Sequence, residues 1–550
     1  MRTHCPSLVA LALLAVHGGV VPESLGRSPR PSAPLFDNLG RHHHPITTRS
    51  PLAQRYFNQG MVLLYGFNHA EAIRSFQAVA ELDPACAMAH WGIAYAHGPN
   101  INRPMEPGDV PQAWNALQKA QELAPQAGPR EQAYIAALAE RYRPEPLEDR
   151  SALDLAYADA MREVMRRFPD DTDAAALFAE ALMDTMPWDY WQPDRRPKPA
   201  TIEVIAVLRN VLRRDPDHPG AHHFFIHAVE AGPTPEDALP SADRLRALRL
   251  GAGHLVHMPS HIYIRTGRYA DAIAVNAEAT KIDQRYIDQC RAQGFYPATY
   301  YPHNLHFLWF AQTMAGRGQD AEKTARRIEV LEADVRCGPF PLMEAPRFRH
   351  LTILTLARFG RWDALVREPR PGEDNPLDLA LWHFAHGLAA VAGQRAEVAG
   401  RHLAEMNRID ASPALKAMDS PILPATQVFG IARAILSGKA ALARGETGRG
   451  LDHLRRAVEL EDELPYMEPP FWHAPARQTL GAALLDADFS ADAEAVFRAD
   501  LDRNPRNGWS LFGLQESLRR QRRIEAADAV GREFARSWEQ AQGPLRFEWY

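Results

Sequence analysis

Small and apolar residues recur along this chain at fixed offsets within a period of 34 residues, which predicts stacked helix-turn-helix units. Two copies, one near each end, are clean. In YFNQGMVLLYGFNHAEAIRSFQAVAELDP, Gly60, Ala72, Phe76 and Pro84 occupy unit positions 8, 20, 24 and 32. In the C-terminal copy, Leu480, Gly481, Ala493, Phe497 and Pro505 occupy positions 7, 8, 20, 24 and 32. Small and apolar residues at these offsets suit packing between the two helices of a unit. Proline at position 32 stops the second helix, because it lacks an N–H and clashes with the preceding turn.

The same proline carries the register inward. Pro169 predicts a unit starting at Thr172, and Pro216 predicts one starting at Pro219. GRYADAI places Ala272 at position 20 of a unit that starts at Gly253, 34 residues after Pro219. GRGQDAE places Ala321 at position 20 of a unit from Pro302, after an insertion of 15 residues containing CRAQGFYPATYY.

These units resemble the tetratricopeptide-repeat family, and the match is specific in the two end copies. The resemblance implies an all-α solenoid of tetratricopeptide-type helix-turn-helix units, here with loop insertions. It also implies that first-helix positions 2, 5, 9 and 12 line a concave groove. Independently, steps of three and four residues keep side chains on one helical face. At those positions the unit from 219 carries His223, His227 and Glu230. The unit from 253 carries His254, His257 and His261, and the unit from 302 carries His303 and His306. Seven of the nine slots at positions 2, 5 and 9 are histidine, in a chain with 23 histidines among 550 residues, so chance is a poor explanation. The stretches PITT, GHLVHMPSHIY, YYPHNLHF and YMEPPFWHAPARQTLG together resemble a histidine-rich bacterial subset of tetratricopeptide proteins, a resemblance that bears on architecture rather than chemistry.

Two histidines three or four residues apart on a helix can present both rings to one metal ion. His223/His227, His257/His261 and His303/His306 are three such clamps on successive units, and Glu230 adds a carboxylate to the first. Pro259, inside HLVHMPSH, is expected to break or start a helix between His257 and His261 and so to weaken the second clamp. Imidazole and carboxylate donors without thiolate suit a transition metal ion, with copper or zinc favoured and iron also compatible. Glu180 and Asp184, at positions 9 and 13 of the unit from 172, and His350 are candidates for a second shell that orients the imidazoles. A metal-assisted hydrolase, a redox metalloenzyme and a metal-storage or delivery protein all fit this set. The alternative is a metal-free scaffold that binds a peptide or protein in the groove, with the histidines, Asn304, Tyr263 and Tyr301 gripping its carboxylate or backbone. No nucleophile elbow, phosphate loop or dinucleotide fingerprint accompanies the histidines.

Other histidines read differently. His383 and His386 fall at positions 4 and 7, which pack between helices despite their HxxH spacing. His90 and His97 read as packing or capping residues, and His42, His43 and His44 as a surface run in a loop-like lead-in. Glu461, Asp462, Glu468 and His473 stay outside the expected ligand set.

Composition bounds the rest. Residues 1–26, with Arg2 ahead of LVALALLAV, read as a signal peptide, which places the protein in the periplasm or cell envelope. Residues 27–51 read as a linker and lead-in, and 52–550 as one continuous solenoid with its histidine-rich groove at 219–310. No transmembrane span is expected beyond the leader. The stretch HGPNINRPMEPGD reads as irregular backbone rather than helix, and the insertion PWDYWQPDRRPKP cannot continue a helix; insertions of that kind map to one face of an array and often form a lid or rim. A hydrophobic content of 46% supports a continuous core, and a net charge of −6 gives no footing for nucleic acid. The four cysteines contain no CxxC pair, so they read as buried or free thiols rather than metal ligands.

Overall fold

The computed structural model describes residue 31 and residues 33–192, 194–336, 350–420 and 423–550. The expected leader and Cys337 lie outside them, and Cys86 and Cys290 are free. Among the described residues every regular element is helical, and no helix is long and apolar enough to cross a membrane. Antiparallel helix pairs follow one another from Pro51–Tyr65 with His69–Leu82 to Gly508–Arg520 with Ile524–Ser537. The fold is a tetratricopeptide-type α-solenoid.

The repeat positions have a packing meaning. The ring of Phe76 rests on Gly60 and on Gly92 of the next first helix, where an added Cβ would approach it to 2.4 and 2.6 Å. Phe497 sits in the same way between Gly481 and Gly513. An aromatic from each second helix thus wedges between two successive first helices, which is how one unit fixes the next. Position 15 is the turn between the helices of a unit, and it takes a left-handed backbone at Gly267 (φ 73°), Gly316 (φ 72°) and Gly360 (φ 61°). Phe67 occupies that position in the first unit, at φ 54°.

The inward register holds to within one residue, in the helices Thr172–Asp184, Pro219–Glu230, Gly253–His257 and Tyr301–Met314. A new helix starts at Pro259, as expected, yet Met258 before it keeps helical angles (φ −49°, ψ −38°), so His257 and His261 stay on one face with their Nε2 atoms 2.9 Å apart.

Residues 33–50, within the expected lead-in, form a strap packed on the solenoid: Tyr56 donates to the Ala33 carbonyl at 2.9 Å, and the Gly251 N–H donates to the Asn38 carbonyl at 2.7 Å. The inner face of the expected groove is covered by the first hairpin and the 466–473 segment, and His223, His227, His254, His257 and His261 are at most 1% exposed.

Candidate metal centre

His223 and His227 project from one face of the Pro219–Glu230 helix, and His254 meets them from the start of the next first helix. The His223 Nδ1–H donates to the main-chain oxygen of Tyr65 at 2.6 Å, and His227 Nδ1 lies 2.7 Å from Glu230 Oε1. Both acceptors fix the proton on Nδ1, which leaves a lone pair on each Nε2. Those two buried Nε2 atoms, and both ring nitrogens of His254, have no hydrogen-bond partner. One nitrogen from each of the three rings lies within 4.8 Å of the others.

His257, His261 and His303 form a second such group. Asn276 donates its amide to Ala272 at 2.8 Å, so its oxygen accepts from His257 Nδ1 at 2.6 Å. His261 Nδ1 donates to Glu230 Oε2 at 2.5 Å and lies 3.2 Å from Glu468 Oε2. The Nε2 atoms of His257 and His261 face each other at 2.9 Å, and the His303 ring stands 4.8 Å from that of His257. Glu230 spends one oxygen on each group, so it orients two rings.

Burial favours neutral imidazole, and here it dominates. Together with neighbouring rings it holds His223, His254, His257 and His303 well below the ordinary histidine range, and it lowers His227 against the pull of Glu230. Neutral rings with bare nitrogens are the ligating form. His261 is the exception. Burial opposes its charge, but Glu230 and Glu468 raise it to about 9, so without a metal ion its Nε2–H points at His257, and an ion bound at this group would displace that one proton. Burial would raise Glu230, but His261 and His227 bring it down to about 2.

The remaining candidates lie elsewhere. His306 stacks on Trp309, at 5.5 Å between centroids, and burial lowers it to about 3. It belongs to neither three-ring group. Glu180 takes the Tyr95 hydroxyl and Asp184 pairs with Arg141 at 2.5 Å, so these acids serve a buried cation beneath Tyr95 and Tyr157 rather than the imidazoles. His350 pairs with Asp378 at 3.0 Å. Asn304, Tyr263 and Tyr301 are bound to Asp283, Asp243 and Gln284 rather than facing a groove. His383 meets His402 at 3.0 Å and His386 stacks on Trp382, the packing role expected for both. The lead-in histidines are not a surface run. His44 is buried and its Nδ1 donates to Asp173 at 2.8 Å, with His42 and His218 at 3.1 and 3.2 Å from the other carboxylate oxygen. An extended segment alternates sides, so His43 alone faces outward.

Several residues at the centre were not singled out by spacing. Tyr65 and Asn276 fix ring tautomers, and Glu468 arrives from the 466–473 loop. Phe67 inserts its ring among the histidines, 4.6 Å from His223 and 5.6 Å from His254. A bulky residue at the left-handed turn position was the available signal for it. Trp188, from the insertion expected to form a rim, donates to Asn102 of the irregular 97–109 stretch at 3.1 Å; Trp188 is 44% exposed and its ring stands 5.1 Å from His227. Tyr300, from the 15-residue insertion, covers His254 at 4.5 Å.

No protein-family model matches the chain, and no curated protein matches it at a significant level. Solved structures overlap it loosely. The human IFIT1 dimer with m7Gppp-AAAA aligns at TM-score 0.33 and 11% identity, over 90% of this chain and 91% of that one. The APC/C hetero-tetramer Cut9–Hcn1 aligns at 0.29 and 11%, over 89% and 74%. Yeast Tom70 aligns at 0.25 and 12%, over 89% and 92%.

Proposed function

We propose that this chain is a metal-binding tetratricopeptide-type solenoid, in which His223, His227, His254, His257, His261 and His303 hold transition-metal ions. One observation carries the reading: His223 and His227 each have Nδ1 tied to an acceptor and a bare, buried Nε2, and both converge on a third ring with no partner at either nitrogen. An unpaired buried polar group costs about 1–3 kcal/mol. Three such rings in contact are a strained arrangement that a cation relieves, and ring nitrogens anchored to carbonyl, carboxylate and amide oxygens are the usual supports of metal-ligating histidine.

An all-imidazole set favours copper or zinc, with iron next. The expected leader would deliver the protein to the envelope, where it serves as a metalloenzyme or as a metal-handling protein. The peptide-scaffold alternative asks for an open groove, and the near-complete burial of five of these rings speaks against it.

The test is elemental mass spectrometry on untagged protein expressed with its leader and dialysed without chelator. Stoichiometric copper, zinc or iron is the expected result. A metal-free protein that also refuses added ions overturns the proposal and returns the histidines to a recognition surface.

A further inference from the structure

Resting on the reading that the cage binds metal at all, we propose that its two histidine triads are the halves of a single dinuclear centre that holds two ions side by side and takes a small bridging anion between them.

The first support is the repeat itself. The first triad consists of positions 5 and 9 of one unit and position 2 of the next, namely His223, His227 and His254. The second triad, His257, His261 and His303, has the same three positions moved on by one unit. His257 and His261 follow His223 and His227 by 34 residues, and His303 is displaced by that period plus the 15-residue insertion. The pattern stops on both sides: position 5 is Ala176 in the unit from 172, and position 9 is Phe310 in the unit from 302. The operation that stacks one unit on the next therefore copies a three-nitrogen pocket once.

The second support is contact between the copies. His254 of the first triad stacks on His257 of the second at 5.6 Å and 27°, and His227 meets His261 at 5.4 Å. No side-chain layer separates them. Glu230 ties the halves together, with one oxygen on His227 and the other on His261. The repeat does not copy this acid, since position 12 of the following unit is Ile264, so one carboxylate supports both pockets.

The third support concerns the ligand. Three nitrogens leave a tetrahedral or larger coordination sphere incomplete on each ion, as catalytic sites require. Phe67 and Tyr300 pack against His254, and Phe307 lies 4.4 Å from His261, so aromatic rings wall the histidines and a small anion is the ligand expected between the ions. Hydroxide satisfies that limit, and azide is its experimental probe.

The experiment uses the full chain loaded with copper(II) alone. Two ions per chain are expected, with a metal–metal distance of about 3.5–5 Å in X-ray absorption, near the spacing of two-metal sites. The paramagnetic-resonance spin count should fall well below two per chain through coupling, and azide should saturate at one per pair of ions. His303→Asn, at the more exposed ring, should lower the stoichiometry to one ion and restore a full single spin. One ion in the unmodified chain, or two uncoupled spins with no metal–metal scattering, overturns the dinuclear proposal and leaves the metal-binding reading intact. A chain that takes up no copper overturns both.

Discussion

His223 donates to the main-chain oxygen of Tyr65 at 2.6 Å across 158 residues of sequence. The hydroxyl of the same Tyr65 donates to Asp173 at 2.5 Å. One tyrosine thus locks the first hairpin onto the inner face and sets the tautomer of a candidate ligand.

Gly220 makes that lock possible, because a Cβ there would stand 2.3 Å from the Tyr65 ring. Gly220→Ala is expected to push the ring outward, release both hydrogen bonds and destabilise the fold by about 1–3 kcal/mol, the usual cost of overpacking. Urea unfolding of metal-free protein measures it. An unchanged midpoint would refute the close contact.

Metal retention should follow the inner face and ignore spacing elsewhere. His223→Ala and His257→Ala should each lower the metal retained after dialysis, whereas His383→Ala should not. Glu230→Gln keeps the size but gives up one of the two acceptors, and a loss of about 10–100-fold in affinity is expected for such a support. Equal loss in all four variants would point to general unfolding and sink the site assignment.

Phe67 sets strain against packing. Its left-handed backbone costs on the order of 1–3 kcal/mol, whereas truncating a buried phenylalanine costs about 3–5 kcal/mol. Phe67→Gly relieves the first and incurs the second, so a net loss of about 2 kcal/mol is expected, together with faster metal exchange through the opened cage. A stabilised variant would show that the ring does not hold the histidines.

Asp283 gives the fold a pH dependence. Burial raises its carboxyl to about 7, against the opposing hydrogen bonds from Tyr296 and Asn304. An unfolded aspartate titrates near about 3.9. Between these values the unfolded chain has released a proton that the folded chain still binds, so stability falls as pH rises from about 4 to about 7 and then levels. Asp283→Asn should remove this fall and be relatively more stable at pH 8 than at pH 5. Parallel urea midpoints for both proteins at the two pH values would exclude the effect.

The repeat, its unit starts and the meeting of six of the seven histidines were legible in sequence, because helix periodicity and interhelix packing are local properties that recur every 34 residues. Pro259 does start a new helix between His257 and His261, but Met258 before it keeps helical angles, so the two rings still meet and only the expected weakening of that pair fails. The acids Glu180 and Asp184 satisfied the spacing rule, yet Tyr95 claims the first and a buried Arg141 the second. Spacing marks the face a residue points to and is silent about which partner waits there.

Sequence by itself therefore determined the architecture and the residue types of the candidate site. Tertiary structure decided which rings meet. Small rotations between stacked units accumulate into the pitch of the superhelix, and that pitch brings Tyr65, Phe67 and Glu468 onto histidines distant in sequence. It also converts an expected groove into a closed cage. Two successive units carry the same three positions as histidine, which is written in the chain; that the two copies touch, with Glu230 between them, follows only from the way the solenoid coils.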